Sequence, residues 1–127
     1  MGSWGAGSFQ NDSALDYVDQ LAHEGLSDWE SFLQNLLAVN YLEIPEASEG
    51  IVLLEVLAAH IGKPSSDLPY KLQKLSESAI VLSDEYLPLK VWQRIVEDSE
   101  LSTEWSQADP PNEWLEHMQD LERRLSN

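Results

Sequence analysis

Residues 51–61 read Ile-Val-Leu-Leu-Glu-Val-Leu-Ala-Ala-His-Ile, and they are the most informative stretch of the chain for its architecture. The segment is apolar on nearly every side of a helix, and a helix of that character is buried on nearly every side. Pro45 before it suits a first helical turn, and Gly62 after it suits the position that follows a helix. The sequence therefore predicts a buried central helix over about residues 50–61.

Two amphipathic helices are predicted before the central helix. Apolar residues recur with helical spacing after Asn11, which opens a run of three residue types that commonly cap helices. A second stripe follows Ser27, and Ser27 and Glu30 match a capping box, in which each side chain accepts from the other residue's backbone amide. These signals predict where the first two helices begin.

The remaining helices are predicted after Gly62. Their apolar stripes cover residues 68–82, 87–96 and 114–125. A short turn over 101–105 precedes the last of them, and no segment shows the alternation of apolar and polar residues that is typical of a β-strand. We therefore predict an all-α fold, with about five to six helices in one compact bundle and a single domain over residues 1–127.

The composition excludes several classes of function. The 127 residues include 7 Lys and Arg against 23 Asp and Glu, which gives a formal net charge of −16. Proteins gain affinity for nucleic acids and anionic membranes largely from Lys and Arg, so we expect neither as a partner. The chain has no Cys, which excludes disulfides, thiol nucleophiles and cysteine zinc sites. The sequence indicates no cofactor and no metal centre of a standard type.

The sequence carries no signal for export or membrane insertion. The first residues lack the basic and apolar regions of a secretory signal. The longest apolar-rich run is about half of the roughly 20 residues that a membrane helix needs. We therefore expect a cytoplasmic protein, whose oligomeric state the sequence leaves open.

The start of the chain carries its most distinctive pattern. The pattern is Met1-Gly2-x-Trp4-Gly5-x-Gly7-x-Phe9-x-Asn11-Asp12-x-Ala14-x-Asp16. Glycines permit positive φ angles or close backbone approach, while Trp4 and Phe9 are large apolar anchors. We interpret residues 1–11 as an irregular clasp on the helical bundle, with Asn11 and Asp12 capping the first helix.

Glu55 is the most unusual residue of the predicted central helix. An unpaired charge buried among apolar side chains costs several kcal/mol, so Glu55 needs polar surroundings. The Asn11/Asp12 cap and the amides of the Gly5–Gly7 loop are candidate partners. Three roles stay open for Glu55: a structural polar contact, a half-exposed side chain, or a catalytic acid or base.

The opening pattern resembles that of a family of small bacterial proteins catalogued as a domain of unknown function. Further matches to the family are the segments Glu55-Val56-x-Ala58-Ala59, Ser99-Glu100-Leu101 with Trp105, and Trp114 with Leu121-x-Arg123-Arg124-Leu125. The resemblance implies a mostly helical fold and a bacterial origin. It implies no activity.

Two classes of function remain open. A small, cysteine-free, acidic helical domain fits a non-enzymatic inhibitor or immunity-type module, which recognises a basic protein partner by charge complementarity. The alternative is a small-ligand or divalent-metal protein, enzymatic or not, with oxygen ligands converging on one site. The candidate residues for that site are Asn11, Asp12, Asp16 and Glu55. No nucleophile, phosphate-loop or zinc motif is present, so the sequence identifies no catalytic residue and favours the binding role.

Overall fold

A computed structural model describes residues 5–108 and 112–126 of the chain. Within these ranges the chain is all-helical, as the sequence predicts, with seven α-helices and no β-strand. The helices are α1 (Asp12–Glu24), α2 (Trp29–Ala38), α3 (Ile44–His60), α4 (Tyr70–Ser76), α5 (Leu87–Glu97), α6 (Glu100–Ser106) and α7 (Asn112–Leu125). None of these helices, as far as they are described, is long and apolar enough to cross a membrane.

The helix count exceeds the predicted five to six because the short turn expected over 101–105 is the full helix α6. Ser99 starts this helix: its Oγ accepts from the Ser102 amide at 3.1 Å, and its own amide donates to Ser102 Oγ at 3.4 Å. This pair is a capping box with Ser in the place where Glu or Gln is usual. The sequence pattern for a capping box therefore does not detect it.

Helix α3 packs against each of the other six described helices. Eleven of its residues, between Ala47 and Ala58, are buried. The helix begins at Ile44, earlier than the predicted start near residue 50, and has Pro45 in its first turn. Glu100 supports this start, because its amide donates to the Leu42 carbonyl at 2.8 Å and its Oε1 accepts from the Ile44 amide at 2.9 Å.

Gly50 permits a close approach of α2 and α5 to α3. A Cβ atom at this position would lie 2.6 Å from Leu36 Cδ1 and 3.3 Å from Ile95 Cδ1. Both side chains are buried in the core and have little room to move. The absence of a side chain at residue 50 therefore sets how tightly the three helices pack.

Helix α2 begins differently from the prediction. Its N-cap residue is Asp28, whose φ of 58° lies in the left-handed region, and no side chain caps the helix. Glu30 instead accepts from the Ser83 amide at 3.0 Å and from the Ser83 hydroxyl at 2.8 Å. The predicted Ser27–Glu30 capping box is wrong, because Asp28 and not Ser27 is the N-cap residue and Glu30 binds Ser83 instead.

Tyr17 of α1 makes the stability of the core sensitive to alkali. Its side chain is buried, and its ring centroid lies 5.7 Å from that of Phe32. Burial, together with the negative charge of Glu49, raises the pKa of Tyr17 to about 12. The unfolded chain ionises this phenol near its ordinary pKa of about 10. The stabilisation is therefore fully present below about pH 10 and is lost as the pH rises towards about 12.

We expect the free energy of unfolding to fall by roughly 2 kcal/mol more in the wild-type chain than in Tyr17→Phe between about pH 9 and pH 11.5. Urea denaturation of both proteins at the two pH values measures this difference. The comparison cancels the titration of Lys and of the other Tyr residues. Equal losses in the two proteins would show that Tyr17 ionises as easily in the fold as in the unfolded chain.

Candidate functional site

The described part of the predicted clasp, residues 5–11, folds back on itself through Gln10. The backbone amide of Gln10 donates to the Gly7 carbonyl at 3.1 Å, and the side-chain oxygen Oε1 of Gln10 accepts from the backbone amide of Gly7 at 2.8 Å. A Cβ atom on Gly5 or on Gly7 would clash with Gln10 Oε1, at 2.7 Å in the case of Gly7. Gly7 does not have a positive φ. Both glycines therefore permit the close approach of the Gln10 side chain, and Gly7 does so without a left-handed turn.

Phe9 and Ala6 attach this N-terminal loop to the bundle. Both belong to the core cluster, with exposures of 9% for Phe9 and 4% for Ala6. Trp4, the other predicted anchor, lies outside the described residues. Burial of a phenylalanine side chain contributes about 1.5–3 kcal/mol, so Phe9 alone is a substantial anchor.

The four predicted ligand residues have different surroundings. Asn11 is the N-cap of α1, as predicted, and its Oδ1 accepts from the Ala14 amide at 2.8 Å. Asp12 and Asp16 are exposed on α1, whereas Glu55 is 2% exposed. In the described part of the chain, no group of three or more His, Asp or Glu side chains could hold a metal ion. The carboxylates of Asp12, Asp16 and Glu55 therefore do not form a common metal site there.

Glu55 pairs with Arg124 of α7, a partner that the sequence did not predict. Arg124 donates from Nη1 to Glu55 Oε1 at 2.7 Å and from Nη2 to Glu55 Oε2 at 3.3 Å. The N-terminal loop reaches the same carboxylate through Ser8, whose Oγ donates to Oε2 at 2.6 Å. Asp120 completes the group, with its Oδ2 at 3.0 Å from Arg124 Nε. Glu55 is thus a polar contact that joins the N-terminal loop, α3 and α7.

Arg124 remains a cation in this environment. Burial by itself lowers the pKa of the guanidinium, but the hydrogen bonds and negative charges of Glu55 and Asp120 outweigh burial and raise the pKa above its ordinary value. A guanidinium is in any case always protonated at physiological pH. The buried carboxylate of Glu55 is therefore matched by a permanent positive charge.

A cavity of about 120 Å³ lies beside the N-terminal loop. The loop, the start of α1, the first two turns of α3, and helices α6 and α7 all contribute to its lining. Its large apolar lining residues are Ile44, Ile51, Leu101, Trp105, Trp114 and Met118. No Lys or Arg is found among its described lining residues. The cavity is therefore a mainly apolar space beneath the motif that the sequence singles out.

Ser48 of α3 is a polar group in this apolar lining. Its side chain is 1% exposed, and its Oγ has no hydrogen-bond partner among the described residues. Buried hydroxyl groups almost always have a partner, so an unpaired one needs an explanation. Sequence reasoning missed Ser48, since a single serine within a helix carries no pattern that would distinguish it.

The comparison with protein families places the chain in one of them. The model of a family described as a domain of unknown function, DUF4259, matches residues 2–117. The chain belongs to this family. The resemblance to a family of unknown function that the sequence suggested is therefore confirmed. The DUF4259 match includes Ser48, Trp105 and Trp114 of the cavity and ends before Arg124. No curated protein and no solved structure matches the chain.

Charge is unevenly distributed along this DUF4259 chain. Residues 1–62 contain ten Asp and Glu residues and no Lys or Arg. Among the described residues, two of the ten form ion pairs with cations from later helices: Asp19 with Lys71, and Glu55 with Arg124. The ion pairs of Lys90, Arg94 and Arg123 are with acidic residues after residue 62. Helices α1 to α3 therefore present many carboxylates without a neutralising partner in the described chain.

Tyr41 lies near Glu43 and Glu100, and Glu46 lies near Glu49 on α3. We define Tyr41, Glu43, Glu46, Glu49 and Glu100 as the acidic surface. Tyr41 is 62% exposed. Partial desolvation raises the pKa of the Tyr41 phenol, and the negative charges of Glu100 and Glu43 raise it further. Burial, together with the charge of Glu46, likewise raises the pKa of Glu49. The negative charges of Glu43 and Glu100 therefore act on Tyr41, and the charge of Glu46 acts on Glu49.

Proposed function

We propose that this chain is a non-enzymatic binding module that recognises a basic protein partner through the acidic surface. The observation that carries the proposal is an exposed tyrosine among carboxylates, in a part of the chain that has no Lys or Arg. Charge complementarity of this kind raises association rates by about 10- to 1000-fold. Tyrosine is also one of the residue types that contribute most to protein interfaces. The role fits an inhibitor or immunity-type protein.

The electrostatics of Glu49 support a cationic partner. Its raised pKa comes from burial and from the like charge of Glu46, so ionised Glu49 is held at a cost in the free chain. A Lys or Arg side chain between the two carboxylates would offset that repulsion. Because such pairs weaken as salt screens them, binding by this surface is expected to depend strongly on ionic strength.

A pull-down from the host's own lysate, with the chain as bait, tests this proposal. It is carried out at about 0.05 M and at about 0.5 M NaCl. We expect a basic protein that is retained at the lower concentration and released at the higher one. The double variant Glu43→Gln/Glu46→Gln should retain at least about tenfold less of it.

A matched control has the same loss of charge elsewhere. Glu77→Gln/Glu116→Gln changes two exposed carboxylates outside the acidic surface, so it should capture the partner as the wild type does. The proposal fails if no salt-sensitive basic protein is retained. It fails equally if the two double variants lose the partner to the same extent.

The metal-binding alternative finds less support. Asp12 and Asp16 are exposed on α1, whereas Glu55 is buried against Arg124. The small-ligand alternative is favoured by a different feature, the cavity that contains Ser48.

A further inference from the structure

Ser48 is the feature of the cavity beside the N-terminal loop that points to a ligand. The Oγ atom is buried and lacks a partner in the described chain, and Ser48 is one of the residues that line the cavity. An unpaired buried hydroxyl costs free energy comparable to a lost hydrogen bond. A molecule that offers a hydrogen-bonding group to Ser48 would remove that cost. The six large apolar side chains of the lining favour an apolar body for the rest of the molecule, although Ser8, Asn11, Asp12, Ser13 and His117 also line the cavity.

The volume of the cavity restricts the size of this molecule. At about 120 Å³ it is close to the roughly 150 Å³ of apolar cavities that accept benzene, and far larger than one water molecule needs. Sites for drug-sized ligands and cofactors usually measure about 300–1,000 Å³. A single six-membered ring with one substituent therefore fits inside the cavity, whereas a nucleotide or an extended cofactor would not be enclosed by it.

The charge of the lining restricts its chemistry. No Lys or Arg among the described lining residues could pair with an anion, and the carboxylate of Asp12 at the cavity would repel one. A cation buried beside Ser48 would lose its hydration and gain no buried counter-charge in return. Asp12, the one acidic residue among the described lining residues, is exposed. Two aromatic side chains of the lining, Trp105 and Trp114, suit a neutral aromatic ring as their neighbour.

We propose that this cavity binds a small, neutral, single-ring molecule with one hydroxyl group, which hydrogen-bonds to Ser48 Oγ. Exposed Asp12 and His117 belong to the lining, so the cavity meets solvent at their edge and the molecule can enter there. The binding is independent of the acidic surface, since Tyr41, Glu43, Glu46, Glu49 and Glu100 do not line the cavity.

Phenol and toluene are a matched pair of probes for this site. They have nearly the same shape, and they differ in a hydroxyl against a methyl group. Titration of each into the ¹⁵N-labelled full chain, followed at the indole signals of Trp105 and Trp114, gives the dissociation constants. We expect saturable shifts of both signals by phenol. Toluene is intrinsically the more hydrophobic probe, so the decisive quantity is the effect of Ser48→Ala on each probe.

Ser48→Ala should raise the dissociation constant of phenol about 5- to 10-fold and change that of toluene by less than about twofold. The variant removes an unpaired polar group, so the fold should be retained. Ser76→Ala is the control: Ser76 is 7% exposed, its Oγ is bonded to the Gln73 carbonyl at 2.7 Å, and it lies outside the cavity lining. Ser76→Ala should leave the dissociation constants of both probes unchanged.

Two results would overturn the proposal. One is the absence of saturable shifts at Trp105 and Trp114 on addition of phenol, which would leave the cavity to water. The other is phenol binding by Ser48→Ala that is as tight as in the wild type. Glu43→Gln/Glu46→Gln should bind phenol normally, so failure at the cavity is distinguishable from failure at the acidic surface.

Discussion

Leu54→Ala should lower the free energy of unfolding by about 2–5 kcal/mol. Leu54 is fully buried in α3, which packs against all six other described helices. Removal of its branched side chain loses apolar burial and leaves a cavity that several helices at once cannot easily close. Urea denaturation monitored by circular dichroism at 222 nm measures the change.

Leu15→Ala is the matched control for this truncation. Leu15 lies in α1 and is 39% exposed, so the same substitution should cost only about 0.5 kcal/mol. If both variants unfold at the same urea concentration, α3 does not hold the position in the core that its burial indicates.

Arg124→Met should destabilise the fold by about 3 kcal/mol. The substitution keeps much of the apolar length of the side chain but removes the cation from Glu55, which is 2% exposed. The Ser8 hydroxyl would be the one described hydrogen-bond donor left to that carboxylate. The expected loss lies at the low end of the range for broken buried pairs, because the Arg124 side chain is 15% exposed.

The neighbouring arginine supplies the control for the broken ion pair. Arg123 is exposed and pairs with Asp120 at the surface, so Arg123→Met should cost at most about 0.5 kcal/mol. Addition of Glu55→Gln to Arg124→Met removes the unpaired buried charge and should restore much of the stability. If Glu55→Gln makes Arg124→Met still less stable, the loss does not come from an uncompensated charge.

Local sequence patterns predicted the features that depend on neighbouring residues. The burial of α3 follows from the continuous apolar run at 51–61, because no side of such a helix can face water at low cost. The N-cap role of Asn11 follows from its position before the first apolar stripe, since one short side chain satisfies an amide three residues along the chain.

Features that depend on distant residues escaped prediction. Glu55 has its charge partner 69 residues away, and helical periodicity cannot show which of several cations will face it. The predicted helix over 68–82 ends at Ser76, where His60 Nδ1 of α3 lies 2.9 Å from the Ser76 carbonyl oxygen. The cavity at Ser48 is likewise formed by four separate parts of the chain.

The proposed binding role is tested most directly by the amide chemical-shift changes that the captured basic partner causes in the ¹⁵N-labelled chain. At about 0.05 M NaCl the largest shifts should fall on the acidic surface, at residues 41–49 and at Glu100, and they should shrink at about 0.5 M. Shifts centred on α4 or α7, or shifts that do not respond to salt, would contradict recognition through the acidic surface.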